Sequence, residues 1–127
     1  MKKTIYILLL SSLFIGMNSC KKKGCMDMAA ANYDADAKKD DGSCVYSPVI
    51  TINGDATMTI SVGSGYTDLG ATAANSDGSS VAVSVDSSMV NDSVVGSFVV
   101  IYSASNEHGT TETSRTVNVV INHECWP

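Results

Sequence analysis

The chain has 127 residues, and its 8 Lys and Arg face 13 Asp and Glu for a net charge of −5. That acidity argues against a nucleic-acid partner, because neutralising phosphates requires clustered Lys or Arg. The length allows one small domain plus a short extra segment, and a composition rich in Ser, Thr, Val and Gly with few aromatics suits an all-β sandwich with polar outer faces.

Lys2 and Lys3 open the chain, Ile5–Gly16 is an apolar run, and Met17-Asn18-Ser19 leads into Cys20. A charged start, a short apolar core and a small residue before a cut are the parts of a secretory signal. The run falls short of the ~20 apolar residues that span a bilayer. Met17–Cys20 resembles the lipobox of bacterial lipoproteins: Ser19 and Cys20 match it, Met17 stands for Leu, and Asn18 is bulkier than the usual small residue. The resemblance implies that residues 1–19 are cleaved as a signal peptide. It also implies that Cys20 carries a diacylglycerol on its sulfur and a fatty acyl chain of the palmitate kind on its new amine. Two or three chains make a durable anchor where one holds only marginally. The expected address is the cell envelope, lipid-anchored at the outer membrane, with the surface and periplasmic faces both open. The processed chain keeps 6 basic and 13 acidic residues, a net charge of −7.

Residues 20–24 read as a lipidated tether whose Lys21, Lys22 and Lys23 lie near headgroups, many of them anionic. Residues 25–46 have no sustained period of 3.6 or 2; Met28–Asn32 suggests a single helical turn, and Asp41-Gly42 is a turn signal. An exported chain forms disulfides, and with Cys20 lipidated three cysteines remain: Cys25, Cys44 and Cys125. A loop closed by Cys25–Cys44 is expected, worth roughly 3 kcal/mol in the chain-entropy view, which a segment without a core needs. Cys125 is then left as a free thiol or an intermolecular bridge. The stretch resembles a short Cys-bounded module of secreted and surface proteins of marine-type bacteria. Gly24, Cys25, Asp27, Asn32-Tyr33-Asp34, Ala37, Asp40-Asp41-Gly42-Ser43-Cys44 and Tyr46 all fall on its pattern.

Its carboxylates suggest a calcium ion. Asn32, Asp34 and Asp36 share the opening rhythm of an EF-hand loop, but Ala37 stands at the sixth position and Ser43 at the twelfth, so it is not one. A looser oxygen cage from Asp27, Asp34, Asp40 and Asp41 is the remaining metal expectation. The bland alternative is a solvated acidic loop whose Asp side chains cap turns, with Lys38 and Lys39 balancing the charge.

From Ser47 the pattern changes to alternation, the mark of half-buried strands. Apolar rows are expected at Pro48, Ile50 and Ile52; at Met58, Ile60 and Val62; at Leu69, Ala71 and Ala73; at Val81, Val83 and Val85; at Phe98, Val100 and Tyr102; and at Val117, Val119 and Ile121. Asn53–Asp55, Gly63–Gly65, Asn75–Ser80, Ser87–Gly96 and Asn106–Gly109 separate them. Six or seven such strands imply a β-sandwich over residues 47–122, followed by a tail over 123–127. Pro48–Gly54, Tyr66–Ala73, Val95–Tyr102 and Arg115–Val119 resemble four ordered motifs of bacterial immunoglobulin-like domains. These occur in surface lipoproteins, adhesin-like arrays and some insecticidal crystal toxins. The resemblance implies an immunoglobulin-like fold and carries no catalytic residues. Leu69 departs from its usual Pro, and Phe98 from its usual Tyr.

There is no Gly-x-Ser-x-Gly, no phosphate loop and no His-Glu-x-x-His. His123, Glu124 and Cys125 fall short of the four ligands a structural zinc wants. Trp126 is expected to dock on the sandwich. Asp92-Ser93-Val94 matches a short acceptor pattern for bacterial O-glycosylation at Ser93. The resulting expectation is a non-enzymatic, lipid-anchored envelope protein displaying one immunoglobulin-like domain as a structural, adhesin-like or binding module, with a protein or glycan ligand. Its presented loops are expected to be Asn75–Ser80 and Asn106–Gly109. The alternative is an accessory glycan-binding lipoprotein of a nutrient-uptake system.

Overall fold

A computed structural model describes residues 20–122. Residues 1–19 and 123–127, with the expectations of a signal peptide and those placed on His123, Glu124, Cys125 and Trp126, lie outside the described residues. Among the described residues there is no helix. Two two-residue strands, β1 (Lys23–Gly24) and β2 (Lys39–Asp40), pair in parallel inside the N-terminal module. The rest is a sandwich. One sheet has the order β3 (Val49–Ile52), β5 (Ala71–Ala74), β6 (Ser80–Val81). The other has the order β4 (Thr57–Ser61), β9 (Gly109–Val120), β8 (Gly96–Asn106), β7 (Val83–Asp86). The seven sandwich strands fit the expected six or seven.

Period-2 alternation decides which side chains meet between the sheets. Val100, Tyr102 and Val117 are fully buried, and Ile50, Ile52, Ile60, Tyr66, Ala71, Val83 and Val90 pack around them. On the same strands Val99 and Ile101 face out. The inward residues are small or β-branched, so the core is thin, and a buried Val or Ile contributes only about 1.5–3 kcal/mol.

Four boundaries differ from expectation, the first being Val62, which follows the end of β4 and is exposed. Leu69 is 52% exposed and precedes β5, because Asp68 turns the chain before the strand begins. The row Val81–Val85 is two strands: Ser80–Val81 pairs with β5, while Val83–Asp86 pairs with β8 in the other sheet. The chain changes sheets at Ala82, and alternation continues through the crossing, so the sequence pattern does not mark it. Ile121 follows the end of β9 and is exposed.

The long β8–β9 hairpin sets the two ends of the sandwich. It turns between Asn106 and Gly109, and that turn abuts Ser47. A Cβ on Gly109 would meet the Ser47 Oγ, which can rotate aside, but the residue's φ of +153° is one that side chains rarely adopt, so the backbone favours glycine there. β9 then runs roughly 37 Å to Val120 at ~3.4 Å per residue, ending at the far tip beside the Gly63–Gly65 turn and Asp92. The N-terminal module therefore sits at the hairpin end, and the last described residues, Ile121 and Asn122, lie at the opposite end.

Candidate functional site

The Cys25–Cys44 disulfide closes the module, as expected, across a separation of 19 residues. Cys25 is buried with Ala30 and Ala37, the small interior of a segment otherwise built from turns. Cys20 is exposed and outside the disulfide, three residues ahead of β1.

The four expected metal ligands do not come together, and this corrects the calcium cage. Among the described residues no three His, Cys, Asp or Glu side chains converge on a point. Each carboxylate is committed to a local bond. Asp27 accepts from the Ala29 N–H at 2.9 Å and from the Tyr46 hydroxyl at 2.8 Å. Asp34 accepts from the Asp36 N–H and pairs with Lys22 at 2.8 Å. Asp40 accepts from the Gly42 N–H, and Asp41 from the Ser43 N–H. These are side-chain caps two residues ahead, the usual way Asp stabilises a turn. The Ala29 amide and the Tyr46 hydroxyl lower the Asp27 pKa, and Lys22 with the Asp36 amide lowers that of Asp34. Met28–Asn32 forms turns in place of the expected helical turn. Asn32 ties the loop's ends: its Nδ2 donates to the Ser43 carbonyl at 2.7 Å, and its Oδ1 accepts from the Val45 N–H at 2.9 Å.

The loops Asn75–Ser80 and Asn106–Gly109 do meet, but beside the module and not at a free tip. Asn106 is the joint. Its Nδ2 donates to the Tyr46 carbonyl at 2.9 Å and to the Asn75 Oδ1 at 2.8 Å. Its Oδ1 accepts from the His108 and Gly109 amides. Tyr46, Asn75, Asp77, Asn106 and His108 border a polar hollow of about 160 Å³. Beside it, Tyr46, Pro48, Ile50 and Thr111 line a more apolar groove of about 550 Å³. The loops turned away from the module are Gly63–Gly65 and the connection through Ser87–Val95. There the Gly63 and Gly65 amides donate to the carbonyl and carboxylate of Asp92. Ser93 is exposed in that connection, its own amide bonded to Asn91.

A buried charge cluster was not foreseen from the sequence. Arg115 is 0% exposed, in the inner row of β9 with Val117 and Val119. Its Nε donates to the Asp55 carbonyl at 3.0 Å, its Nη1 to Asp68 at 2.9 Å, and its Nη2 to the Asn53 carbonyl. The guanidinium lies 5.6 Å from the Tyr102 ring centre, within range of a cation–π attraction. Asp68 also accepts from the hydroxyls of Tyr66 and Tyr102 and from the Gly70 amide. Burial pushes the Asp68 carboxyl up, but Tyr102, Tyr66, the Gly70 amide and the Arg115 charge together outweigh it, and its pKa falls below the ordinary value. Burial and the bond to Asp68 push the Tyr102 hydroxyl well above its ordinary range. No buried side-chain polar atom among the described residues lacks a partner. The cluster pins the Asn53–Asp55 crossing between sheets and the Tyr66–Gly70 turn to β9. Its sequence signal was Arg115 on the apolar phase of its strand, in a sandwich with no other Lys or Arg.

Two antiparallel-dominated sheets closed by a sheet-switching segment define an immunoglobulin-like sandwich. A family described as bacterial surface protein, Ig-like domain, matches residues 50–119, and the chain belongs to that family. Among solved structures it is similar to a lipoprotein from Bacteroides thetaiotaomicron, at 24% identity and a TM-score of 0.48, over 59% of this chain and 38% of that one. The chain thus spans well under two thirds of that protein's length. No curated protein matches the chain in sequence.

Proposed function

We propose that the chain is a non-enzymatic, lipid-anchored envelope protein that holds one immunoglobulin-like domain away from the membrane as a structural, adhesin-like or binding module. One observation carries this reading: Cys20 is exposed and outside the disulfide, three residues ahead of β1. The lipobox-like segment ahead of it and the family of the sandwich agree with that role. Lipid on Cys20 places the module next to the bilayer. The end facing a partner is then the far tip of Gly63–Gly65 and Ser87–Val95, and Ser93 in it is an accessible acceptor for a sugar. The outer membrane is the compartment we assign.

Growth with an alkyne analogue of palmitate tests the anchor. Label on the wild-type chain, lost together with membrane association in Cys20→Ser, is the expected result; an unlabelled wild-type chain overturns it. Protease shaving of intact cells assigns the face of the membrane. The glycan-binding alternative gains no support, because glycan sites stack sugars on exposed rings. Among the described residues Tyr102 is buried and Tyr66, Phe98 and Tyr46 are half-buried, leaving Tyr33 without an aromatic partner at the surface.

A further inference from the structure

The geometry points to an open strand edge on the flank of the sandwich that takes up an extended peptide alternating apolar and basic residues. This flank is a different surface from the far tip, and the inference does not depend on the reading of Cys20. Along a paired strand, successive residues aim their backbone groups at opposite neighbours. The Thr116 N–H donates to the Ala56 carbonyl, and the Val120 carbonyl accepts from the Val62 N–H, so the even-numbered residues of β9 face the β4 side. The register with β8 is unbroken back to Gly109, which gives Thr110, Glu112 and Ser114 the same direction. β4, however, pairs with β9 only from Thr116 to Val120. Among the described residues no strand pairs with Thr110, Glu112 or Ser114 on that side, and each of them is exposed. The chain that could cover them is held elsewhere. β3 pairs with β5 in the other sheet, and Arg115 fixes the crossing to β4 by donating to the Asn53 and Asp55 carbonyls.

The edge borders the groove of about 550 Å³ lined by Pro48, Ile50, Thr111 and Thr113. A strand laid along Thr110–Ser114 completes the ladder with main-chain bonds, while its alternate side chains set the specificity. One set enters the groove, where apolar groups fit. The other set stands beside Thr110, Glu112 and Ser114 on the outer face, where positive charge fits. Glu112 forms no ion pair among the described residues. Residues 47–122 carry seven Asp and Glu against Arg115, itself buried on Asp68, a net charge of −6 with no exposed Lys or Arg. That charge disfavours a second copy as the occupant. Two copies paired edge to edge about Glu112 set like charges directly opposite, which is destabilising. Open edges are commonly guarded by such charges; here Glu112 turns away another copy and admits a basic strand. Residues 123–127 follow the far end of β9, and five residues span at most about 18 Å, short of the ~27 Å from Val120 back to Glu112.

The test uses the full chain, purified from cells in a non-ionic detergent and isotope-labelled, with a synthetic peptide alternating Val and Lys as the probe. Amide hydrogen exchange is read residue by residue by NMR. With the peptide at about ten times its Kd, exchange at Thr110, Glu112 and Ser114 is expected to slow by about tenfold. Thr111 and Thr113, whose amides already face β8, are expected to stay unchanged. Methylating the peptide nitrogens of the Lys residues alone, or of the Val residues alone, should block binding in one case and spare it in the other, because only one set faces β9. Glu112→Lys should weaken the peptide by about fivefold or more, and a peptide alternating Val and Glu should leave the wild-type edge untouched. Unchanged exchange at Thr110, Glu112 and Ser114 overturns the proposal, as does equal slowing at Thr111 and Thr113 or an equal effect of the two methylated peptides. Slowing at the edge that grows with protein concentration and needs no peptide assigns it to a second copy, and overturns the proposal as well.

Discussion

The module and the sandwich solve the same stability problem by different physics. The module spans 22 residues between Cys25 and Tyr46 with three buried side chains, Cys25, Ala30 and Ala37. Its order comes from one covalent link and from Asp and Asn side chains that cap successive turns. The sandwich has no disulfide among the described residues. It buries a Val, Ile and Tyr core and then places an ion pair inside it. A covalent link constrains the unfolded chain, whereas a buried Arg–Asp pair selects one arrangement of the folded one, because any other packing strands a charge. Removing each device should therefore damage only its own region.

The largest effect is expected from Asp68→Ala, which leaves the Arg115 guanidinium buried without its carboxylate. Breaking a buried pair from one side costs about 3–5 kcal/mol, and thermal unfolding should show the sandwich melting at least ten degrees lower, taking roughly 4–8 °C per kcal/mol. Replacing both partners, as in Asp68→Leu/Arg115→Met, should recover part of the loss; a double variant as unstable as the single would show that the pair does more than satisfy itself.

Next comes Cys25→Ser. The module should lose roughly 3 kcal/mol and open to trypsin at Lys38 and Lys39, while the melting of the sandwich stays within about a degree of wild type. A matching fall in the sandwich would mean the two regions unfold as one unit.

Asn106→Ala removes two donated and two accepted bonds at the joint between the regions. A loss of about 1–3 kcal/mol is expected from the buried groups left without partners. Chemical denaturation should report that loss, with the chain near Tyr46–Pro48 becoming protease-sensitive.

The smallest effect is the pH dependence of the sandwich. The folded-state pKa of Asp68 is depressed, so its contribution is complete above the unfolded value of 3.8 and is lost as pH falls through the lower folded value. The Tyr102 hydroxyl is raised, so its contribution is complete below the unfolded value of 10.0 and is lost as pH climbs above it. Melting curves across pH should therefore fall at both extremes, with Asp68→Asn flattening the acid limb and Tyr102→Phe the alkaline one. An unchanged acid limb in Asp68→Asn would mean that other carboxylates set the acid transition.

The strands were legible because a half-buried sheet writes itself in the sequence with period 2, and the rows Ile50–Ile52, Met58–Ile60 and Phe98–Tyr102 read directly. The Cys25–Cys44 link followed once Cys20 was set aside for lipid. The change of sheets at Ala82 was hidden because alternation is the same on either sheet. The calcium cage failed because spacing along a loop does not reveal whether an Asp oxygen is already bonded to the amide two residues ahead. The loops near Asn75 and Asn106 were correctly paired and wrongly aimed.

By itself, then, the amino-acid sequence determined what acts over short range: the turns, the strand periods, the Cys25–Cys44 link and the family of the sandwich. Only the tertiary structure decided what depends on which distant segments meet. It joined Arg115 to Asp68 across 47 residues, set Asn106 against Tyr46 across 60, and brought Lys38 and Lys39 beside the tether. These are encounters between charges and dipoles, whose energies depend on distance and burial, and neither quantity is written in the order of the residues.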